Sequence, residues 1–379
     1  MSTAGPSRPI ALVAGGTGGH VFPAEALAGE LRARGHALAL ITDRRGTAWS
    51  GALAGIESHA VRAGRVSGVG LARRVTGAAD LALGGLQSRR LLRRLAPAVV
   101  VGFGGYASVP AMVAAASLRL PTVLHEQNAL LGRANRLLAP RVTAIATSFA
   151  TVERLRPADA AKAVLTGNPV REAVRVLRDR PYPAPAGDGT VHLLVTGGSQ
   201  GASVFARVVP AAIARLRREL RARLRLAQQC RPEDLEAVAT AYRGIEFTAD
   251  LAPFFADLAE RLGRAQLVIA RAGASTVAEL TTAGRPALLV PFAHAADDHQ
   301  TVNARAVVAA GGAEMIAEGD FSAEVLAARL ESLIDAPGRL AAMARAARAA
   351  GHDNAAANLA RLVAGLVPSN GSRDRRRAA

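Results

Sequence analysis

Apolar residues in this chain fall into short unbroken runs, separated by glycine-rich turns and longer stretches with helical spacing. The first segment sets the pattern. PIALVA at 9–14 is an apolar run, GGTGGH at 15–20 a glycine turn, and 23–34 repeats apolar positions every three to four residues. Gly35 stops that helix, and HALALI at 36–41 begins the next apolar run. Runs without alternation mark strands buried on both faces, as in a parallel sheet covered by helices. AVVVGF, PTVLHE and TAIATS continue the alternation of strand and helix. The text then changes: 178–190 (RDRPYPAPAGDGT) is rich in Pro, Gly and Asp and reads as a linker. Beyond it the opening pattern returns, with VHLLVT as strand, GGSQGA as turn and a helix from Ser203, followed by AQLVIA and PALLVPF. The prediction is an α/β protein of two Rossmann-like, doubly wound parallel-sheet domains facing a cleft. A last helix is expected at 354–367 and a disordered, arginine-rich tail at 368–379.

Composition narrows the class. The 379 residues are 50% apolar but only 3% aromatic, with a formal charge of +17 and one cysteine, Cys230. Lys162 is the only lysine, so arginine supplies the excess. One cysteine rules out an intramolecular disulfide and any multi-cysteine metal site. The apolar share excludes a largely disordered chain. The polar start does not read as a signal peptide. The longest uncharged stretch, 95–118, is interrupted by Pro97, Gly102, Gly104, Gly105 and Pro110, which favours strand, turn and helix over a membrane span. A cytoplasmic protein that attracts anions is the expectation.

Chemistry concentrates at the strand ends. GGTGGH lies between a buried strand and a helix start, where free amides and the helix dipole suit phosphate. It does not complete the dinucleotide motif G-x-G-x-x-G, although Asp43 follows the second strand as a ribose-binding acid would. GGSQGA repeats the arrangement. One Gly-Gly turn is as often tight packing as a ligand loop; two at equivalent points in two half-chains are better evidence. His20, at the helix start, has the chemistry of a general base, or caps and packs there. HEQN at 125–128 and GFGGY at 102–106 end strands at the same sheet edge, where ligands bind in open α/β folds. In the second half, ARAGASTVAEL at 270–280 opens a helix with small residues, and PFAHAADDHQTVNA at 291–304 is a polar loop. His294, Asp297, Asp298 and His299 match no metal-binding spacing. Gln300 and Asn303, with donors and acceptors, suit sugar hydroxyls better.

Taken in order, GGTGGHVFPA, GFGGY, HEQN, TGNPVR, GGSQGA, RAGASTVAEL and PFAHAADDHQTVNA resemble the MurG family of bacterial glycosyltransferases, family 28, over about 9–367. The resemblance implies the GT-B fold. Residues 1–171 would form an acceptor and membrane-side domain, 172–353 a UDP-GlcNAc domain, and 354–367 a helix packing back on the first. It implies an inverting transfer of GlcNAc from UDP-GlcNAc to the 4-hydroxyl of MurNAc in undecaprenyl-pyrophosphoryl-MurNAc-pentapeptide, from lipid I to lipid II, in peptidoglycan synthesis. His20 or Glu126 would be the base. Thr17, Gly18 and Gly19 would reach donor and acceptor pyrophosphate, and Asn128 the donor. Ala274, Ser275, Thr276, Val277 and Ala278 would lie at the donor's phosphates and sugar, with Glu279 on the ribose. Ser199 and Arg171 would also contact the donor, Gln300 the GlcNAc hydroxyls, and Phe255 the uracil pocket. The absence of an Asp-x-Asp motif adds the expectation of a mechanism with no metal and no cofactor.

Two departures stand out. Gln228-Gln229-Cys230-Arg231 replaces the family's His-Gln and small residues, and Phe254-Phe255-Ala256-Asp257 replaces Phe-Ile-Asp-Asp. A lipid acceptor implies work at the anionic inner leaflet, as a peripheral protein on the cytoplasmic face of the cell membrane, alongside other cell-wall synthesis proteins. Residues 62–94 offer a face for it. Arg62, Arg65, Arg73, Arg74, Arg89, Arg90, Arg93 and Arg94 stand against Asp80 alone, interleaved with Leu71, Val75, Leu81, Leu83, Leu86, Leu91 and Leu92. The plainer reading is a solvated helix face. Two rivals remain at this stage: a GT-B enzyme with another acceptor, and a basic nucleic-acid-binding protein. Scarce aromatics and the lack of a nucleic-acid module count against the second.

Overall fold

The computed structural model describes residues 8–15, 18–43, 51–63, 71–186, 189–198 and 201–368. They divide into two compact units, one from Met1–Pro169 with Asn354–Ala379, the other Val170–Asp353.

The first unit is built on seven parallel strands: β1 (Ile10–Val13), β2 (Leu38–Thr42), β3 (Glu57–Ala60), β4 (Val99–Gly102), β5 (Thr122–Glu126), β6 (Ala144–Thr147) and β7 (Ala163–Leu165). Their spatial order is β3-β2-β1-β4-β5-β6-β7. Strands β1 and β4 to β6 are buried at every position, as the apolar text of β1, β4 and most of β6 predicts. One face of the sheet presents Leu12, Val101 and Val123 to Leu27 and Leu31 of helix α1 (Gly18–Ala33) and to Leu359 and Val363 of the C-terminal helix (Ala355–Gly365). The other face presents Val13, Val100 and Leu124 to helices α2 (Leu71–Leu95), α3 (Val109–Ser117) and α4 (Arg133–Leu138), through Leu92, Met112 and Leu138. Each such aliphatic burial contributes about 1.5–3 kcal/mol, which is how the last helix is held to the first unit. Leu92 therefore belongs to the core, not to an exposed face.

Helix α1 starts inside the glycine turn, five residues earlier than the apolar spacing predicts. Pro23 is thus interior to it, and without an N–H it cannot donate to the Gly19 carbonyl.

The second unit repeats the plan with six parallel strands: β8 (Val191–Thr196), β9 (Leu224–Gln229), β10 (Ala249–Ala252), β11 (Leu267–Ala270), β12 (Ala287–Leu289) and β13 (Ala313–Met315), in the order β10-β9-β8-β11-β12-β13. Both sheets reverse direction of growth at a central pair, β1/β4 in one and β8/β11 in the other. Loops after those strands splay apart and leave a crevice at the carboxyl ends.

Arg285 precedes β12 and is 1% exposed. Its guanidinium donates to four main-chain carbonyls: Leu262 (2.8 Å), Gly263 (2.7 Å), Ala283 (2.7 Å) and Gly284 (3.3 Å). These lie at the carboxyl ends of the Leu258–Arg264 and Ala274–Ala283 helices, where cations are favoured. Burial lowers the guanidinium pKa to about 10, so the group remains charged at neutral pH. Arg285→Met should lower stability by about 3 kcal/mol or more, because several carbonyls lose their donor at once. The urea midpoint, followed by circular dichroism, measures it.

Candidate active site

In the first unit the β1/β4 reversal brings GGTGGH and GFGGY together. Gly18, Gly19 and His20 form the first turn of α1. Among the described residues, nothing lies within 4 Å of a side chain added at Gly19, so the helix start is open at that position. Gly15 is closely packed instead, since a Cβ there would stand 2.7 Å from the Ala107 Cβ. Gly104 and Gly105 have φ of 87° and 72°, the left-handed region that favours glycine. A Cβ on Gly105 would come within 3.1 Å of His20 Nε2. The imidazole therefore rests on a turn only glycine makes comfortably. Thr17 lies outside the described residues.

Glu126 ends β5 and is 1% exposed. Its Oε1 accepts from the Asn128 main-chain N–H (2.9 Å) and Nδ2 (3.1 Å), and its Oε2 from the Gly132 N–H (2.9 Å) and Asn135 Nδ2 (2.7 Å). Burial raises the carboxyl pKa while these four donors oppose the shift. The sequence places Glu126 among candidate bases; the structure commits both its oxygens to tying down the loop that follows. Asn128 takes part in the same clasp.

Gln127, unremarked in the sequence, is the bridge. Its Nε2 donates to the Phe103 carbonyl (2.9 Å) of the GFGGY turn and lies 3.0 Å from His125 Nδ1. His125 Nε2 lies 3.4 Å from the Gly167 carbonyl. A neutral ring protonated on Nε2 satisfies both contacts, and burial holds the His125 pKa down to about 4.

The second unit follows the same logic at β8/β11. Gly198 and Gly201 are left-handed (φ 74° and 68°), and a Cβ on Gly197 would lie 2.4 Å from the Gly201 carbonyl carbon. Gln229 holds this turn: Thr196 Oγ1 donates to its Oε1 (2.8 Å), while its Nε2 donates to the carbonyls of Gly198 (3.1 Å) and Pro253 (3.1 Å). Its neighbour Gln228 is fully buried and accepts from the Tyr242 hydroxyl (2.6 Å). The departure at 228–231 is thus a repacked loop anchor, with the Arg231 stem against Gly201. Ser199 lies outside the described residues.

After β11 the chain enters the Ala274–Ala283 helix, whose N-cap is Gly273 with no side-chain cap. Amides of its first turn point outward, beside the Ser275 Oγ, a buried hydroxyl without a hydrogen-bond partner. Ala274, Ser275, Thr276 and Ala278 are half-buried. Val277 differs: its side chain is in the core and its N–H donates to the Gly273 carbonyl (2.9 Å). Glu279 accepts from Arg171 through Nε (3.1 Å) and Nη2 (2.9 Å), so two expected donor contacts form one ion pair. Burial raises the Glu279 pKa and Arg171 opposes it.

Three side chains brace the surrounding loops. Buried Arg271 donates to the Val290 and Pro291 carbonyls (3.1 Å each) and pairs with Glu318 (2.7 Å). Asn303, expected as a sugar reader, is buried with its Nδ2 on the Ala272 carbonyl (3.0 Å), and serves the loop instead. Gln300 is half-buried, and its Oε1 accepts from the Phe292 N–H (3.0 Å). Phe255 is buried, with the Arg261 guanidinium 4.1 Å from its ring centre. The neighbouring Phe254 is 70% exposed. Among the described residues, no three His, Cys, Asp or Glu side chains gather as a metal site.

Two doubly wound domains, each with a glycine turn and a helix N-terminus at its reversal point, have the plan of the GT-B fold, and the family matches make this a glycosyltransferase. Residues 10–147 match the glycosyltransferase family 28 N-terminal domain, and 192–359 match the family's C-terminal domain. A Rhodospirillum centenum protein named UDP-N-acetylglucosamine–N-acetylmuramyl-(pentapeptide) pyrophosphoryl-undecaprenol N-acetylglucosamine transferase is 57% identical, over 95% of this chain and 94% of its own. The Paramagnetospirillum magneticum protein of the same name is 56% identical, over 97% and 99%. The crystal structure of Acinetobacter baumannii MurG superposes with a TM-score of 0.76 at 28% identity, covering 94% of this chain and 99% of that one. The chain belongs to glycosyltransferase family 28.

The buried imidazole makes acid sensitivity specific. The unfolded chain binds a proton at His125 near pH 6.5, the folded chain only near 4. Stability is therefore lost as pH falls through that window, by about 2 kcal/mol between pH 7 and 5. Glu126 acts in the opposite sense, since its raised folded pKa favours proton uptake by the native state. His125→Gln should remove the loss assigned to His125, seen as a shallower fall in urea midpoint between those two pH values than in wild type.

Proposed function

We propose that this protein transfers N-acetylglucosamine from UDP-N-acetylglucosamine to undecaprenyl-pyrophosphoryl-MurNAc-pentapeptide, converting lipid I to lipid II. The near-full-length likeness to the Rhodospirillum centenum transferase carries this reading. The MurNAc 4-hydroxyl attacks the anomeric carbon of the donor from the face opposite UDP. The new C–O bond forms with inversion, the bond to the diphosphate breaks, and the hydroxyl proton passes to the His20 imidazole. His20 is favoured over Glu126 because the helix start is open at Gly19, whereas Glu126 accepts four donors within its own loop. Glu126 and Asn128 then act by shaping the loop.

For the leaving diphosphate we assign the amides of Ala274, Ser275 and Thr276 and the unpartnered Ser275 hydroxyl, aided by the helix dipole. Glu279, oriented by Arg171, takes the ribose hydroxyls, and the Nε2 of Gln300 takes a sugar hydroxyl while its Oε1 holds Phe292. His20→Ala should lower kcat by about a hundredfold or more while UDP affinity stays within about twofold of wild type. Turnover of the purified variant at the wild-type rate removes His20 from this role.

Work on a lipid acceptor places the protein at the cytoplasmic face of the cell membrane. Among the described residues no helix is long and apolar enough to cross a membrane. Leu83 and Leu86 on α2 are 45% and 57% exposed, and Arg90, Arg93 and Arg94 are exposed on the same helix. Each cation near an anionic surface adds about 1 kcal/mol, and the leucines add apolar insertion. Arg65 and the side chains of Leu71, Arg73, Arg74 and Val75 lie outside the described residues. Sedimentation with phosphatidylglycerol vesicles should retain the wild type at low salt and lose Leu83→Ser/Leu86→Ser. Equal pelleting with neutral vesicles overturns the electrostatic part.

A further inference from the structure

The first unit has a second cleft, away from the glycine turns. It opens along the edge strand β3 and helix α2, with a volume of about 610 Å³, and its lining includes Ser58, His59, Arg62, Gln87, Arg90 and Arg94. Strand β3 is separated from the β1/β4 reversal by the whole of β2, so the cleft lies outside the site assigned to glycosyl transfer.

Its walls are fixed closely. The Arg62 N–H donates to Gln87 Oε1 (3.1 Å), and a Cβ on Gly84 would stand 1.9 Å from the Arg62 carbonyl oxygen. Only glycine at 84 lets the end of β3 approach the helix this far, which sets Arg62 opposite the turns that carry Arg90 and Arg94. Arg90 and Arg94 are one helical turn apart, where like charges repel, and neither meets a carboxylate among the described residues. Arg62 has Asp80 only at 3.8 Å, with both side chains well exposed. Arg89 provides the contrast: it turns away to donate to Ser117 on α3 (2.5 Å). His59 Nε2 is buried 3.3 Å from Glu57 Oε1, without hydrogen-bond geometry.

We propose that this cleft is a seat for a phosphate-bearing anion of about diphosphate or headgroup size. Three arginines, one from the segment after β3 and two from α2, line one cavity, an arrangement suited to phosphate oxygens by charge and by paired N–H donors. The volume exceeds what a lone phosphate fills and suits an ester or a diphosphate. The seat does not depend on the transferase reading. It also differs from diffuse attraction to a surface, because it requires particular arginines.

The test titrates the full-length protein, saturated with UDP to fill the donor site, with inorganic pyrophosphate by calorimetry at constant ionic strength. Arg90→Ala and Arg94→Ala should each weaken binding by about tenfold, and Arg90→Gln should do the same with less change in helix packing. Arg93→Ala removes the same charge from the same helix outside the lining and should change affinity by less than about twofold. Absence of saturable binding, or an Arg93→Ala loss equal to that of Arg90→Ala, overturns the seat. Phosphatidylglycerol vesicles distinguish the source. Competition between vesicles and pyrophosphate identifies a lipid headgroup as occupant, and undiminished pyrophosphate binding to vesicle-bound protein identifies a soluble anion. Loss of transferase activity in His20→Ala leaves this titration unchanged, so the two readings fail separately.

Discussion

A parallel sheet whose strand order reverses at its centre forces the two middle loops to leave in opposite directions. Main-chain groups at that point find no neighbour in the ladder, and burying them unpaired is costly. Both sheets meet this constraint in the same way, with glycines in left-handed turns and neutral amides threaded through them. Gln127 spans from the end of β5 to the turn after β4, and Gln229 from the end of β9 to the turn after β8. An amide offers donor and acceptor together without the desolvation cost of a charge. The loops are thereby rigid where a ligand would meet them, while the first turns of α1 and of the Ala274–Ala283 helix keep their outward amides.

How far this was legible from the sequence depends on what each residue faces. Strands β1, β4 and β6 are legible because burial on both faces leaves them almost wholly apolar, whereas β5 (TVLHE) carries its polar residues mainly at its ends. Strand β3, with the text ESHA, is an edge strand largely open to solvent, and its polar residues carry no strand signal. The start of α1 is hidden in the sequence because Gly18, Gly19 and Pro23 look like helix breakers, although they occupy its opening turns. At the sites, residue chemistry identified the right loops but not always the right direction. Glu126 and Asn303 have the residue types expected of ligand contacts, yet the bonds they form are to their own loops, and the Val277 side chain lies in the core. Nothing in a linear text distinguishes an amide that reads a sugar from one that holds a carbonyl. Adjacency of β8 and β9 was the missing information for Gln229.

Arginine serves three different purposes here. Arg271 and Arg285 are interior braces, each collecting main-chain carbonyls that no lysine could reach in the same planar arrangement. A second group forms exposed pairs with acids, such as Arg175 with Glu172 at 2.7 Å, each worth about 0–1 kcal/mol. A third group, Arg90, Arg93 and Arg94 on α2, is exposed, meets no carboxylate among the described residues and gives the first unit an attraction for anions. The +17 is thus unevenly distributed in function as well as in space.

The chain enters the second unit after Pro169 and returns from it at Asp353, so the second unit is an insertion within the first. During synthesis the ribosome delivers Val170–Asp353 complete before Leu359, Ala360 and Val363 emerge. The inserted unit can close its core while the surrounding one still lacks a helix against β1 and β4. Completion of the first unit therefore waits for residues made after the inserted one, and until they emerge the apolar surface beside α1 is only partly covered.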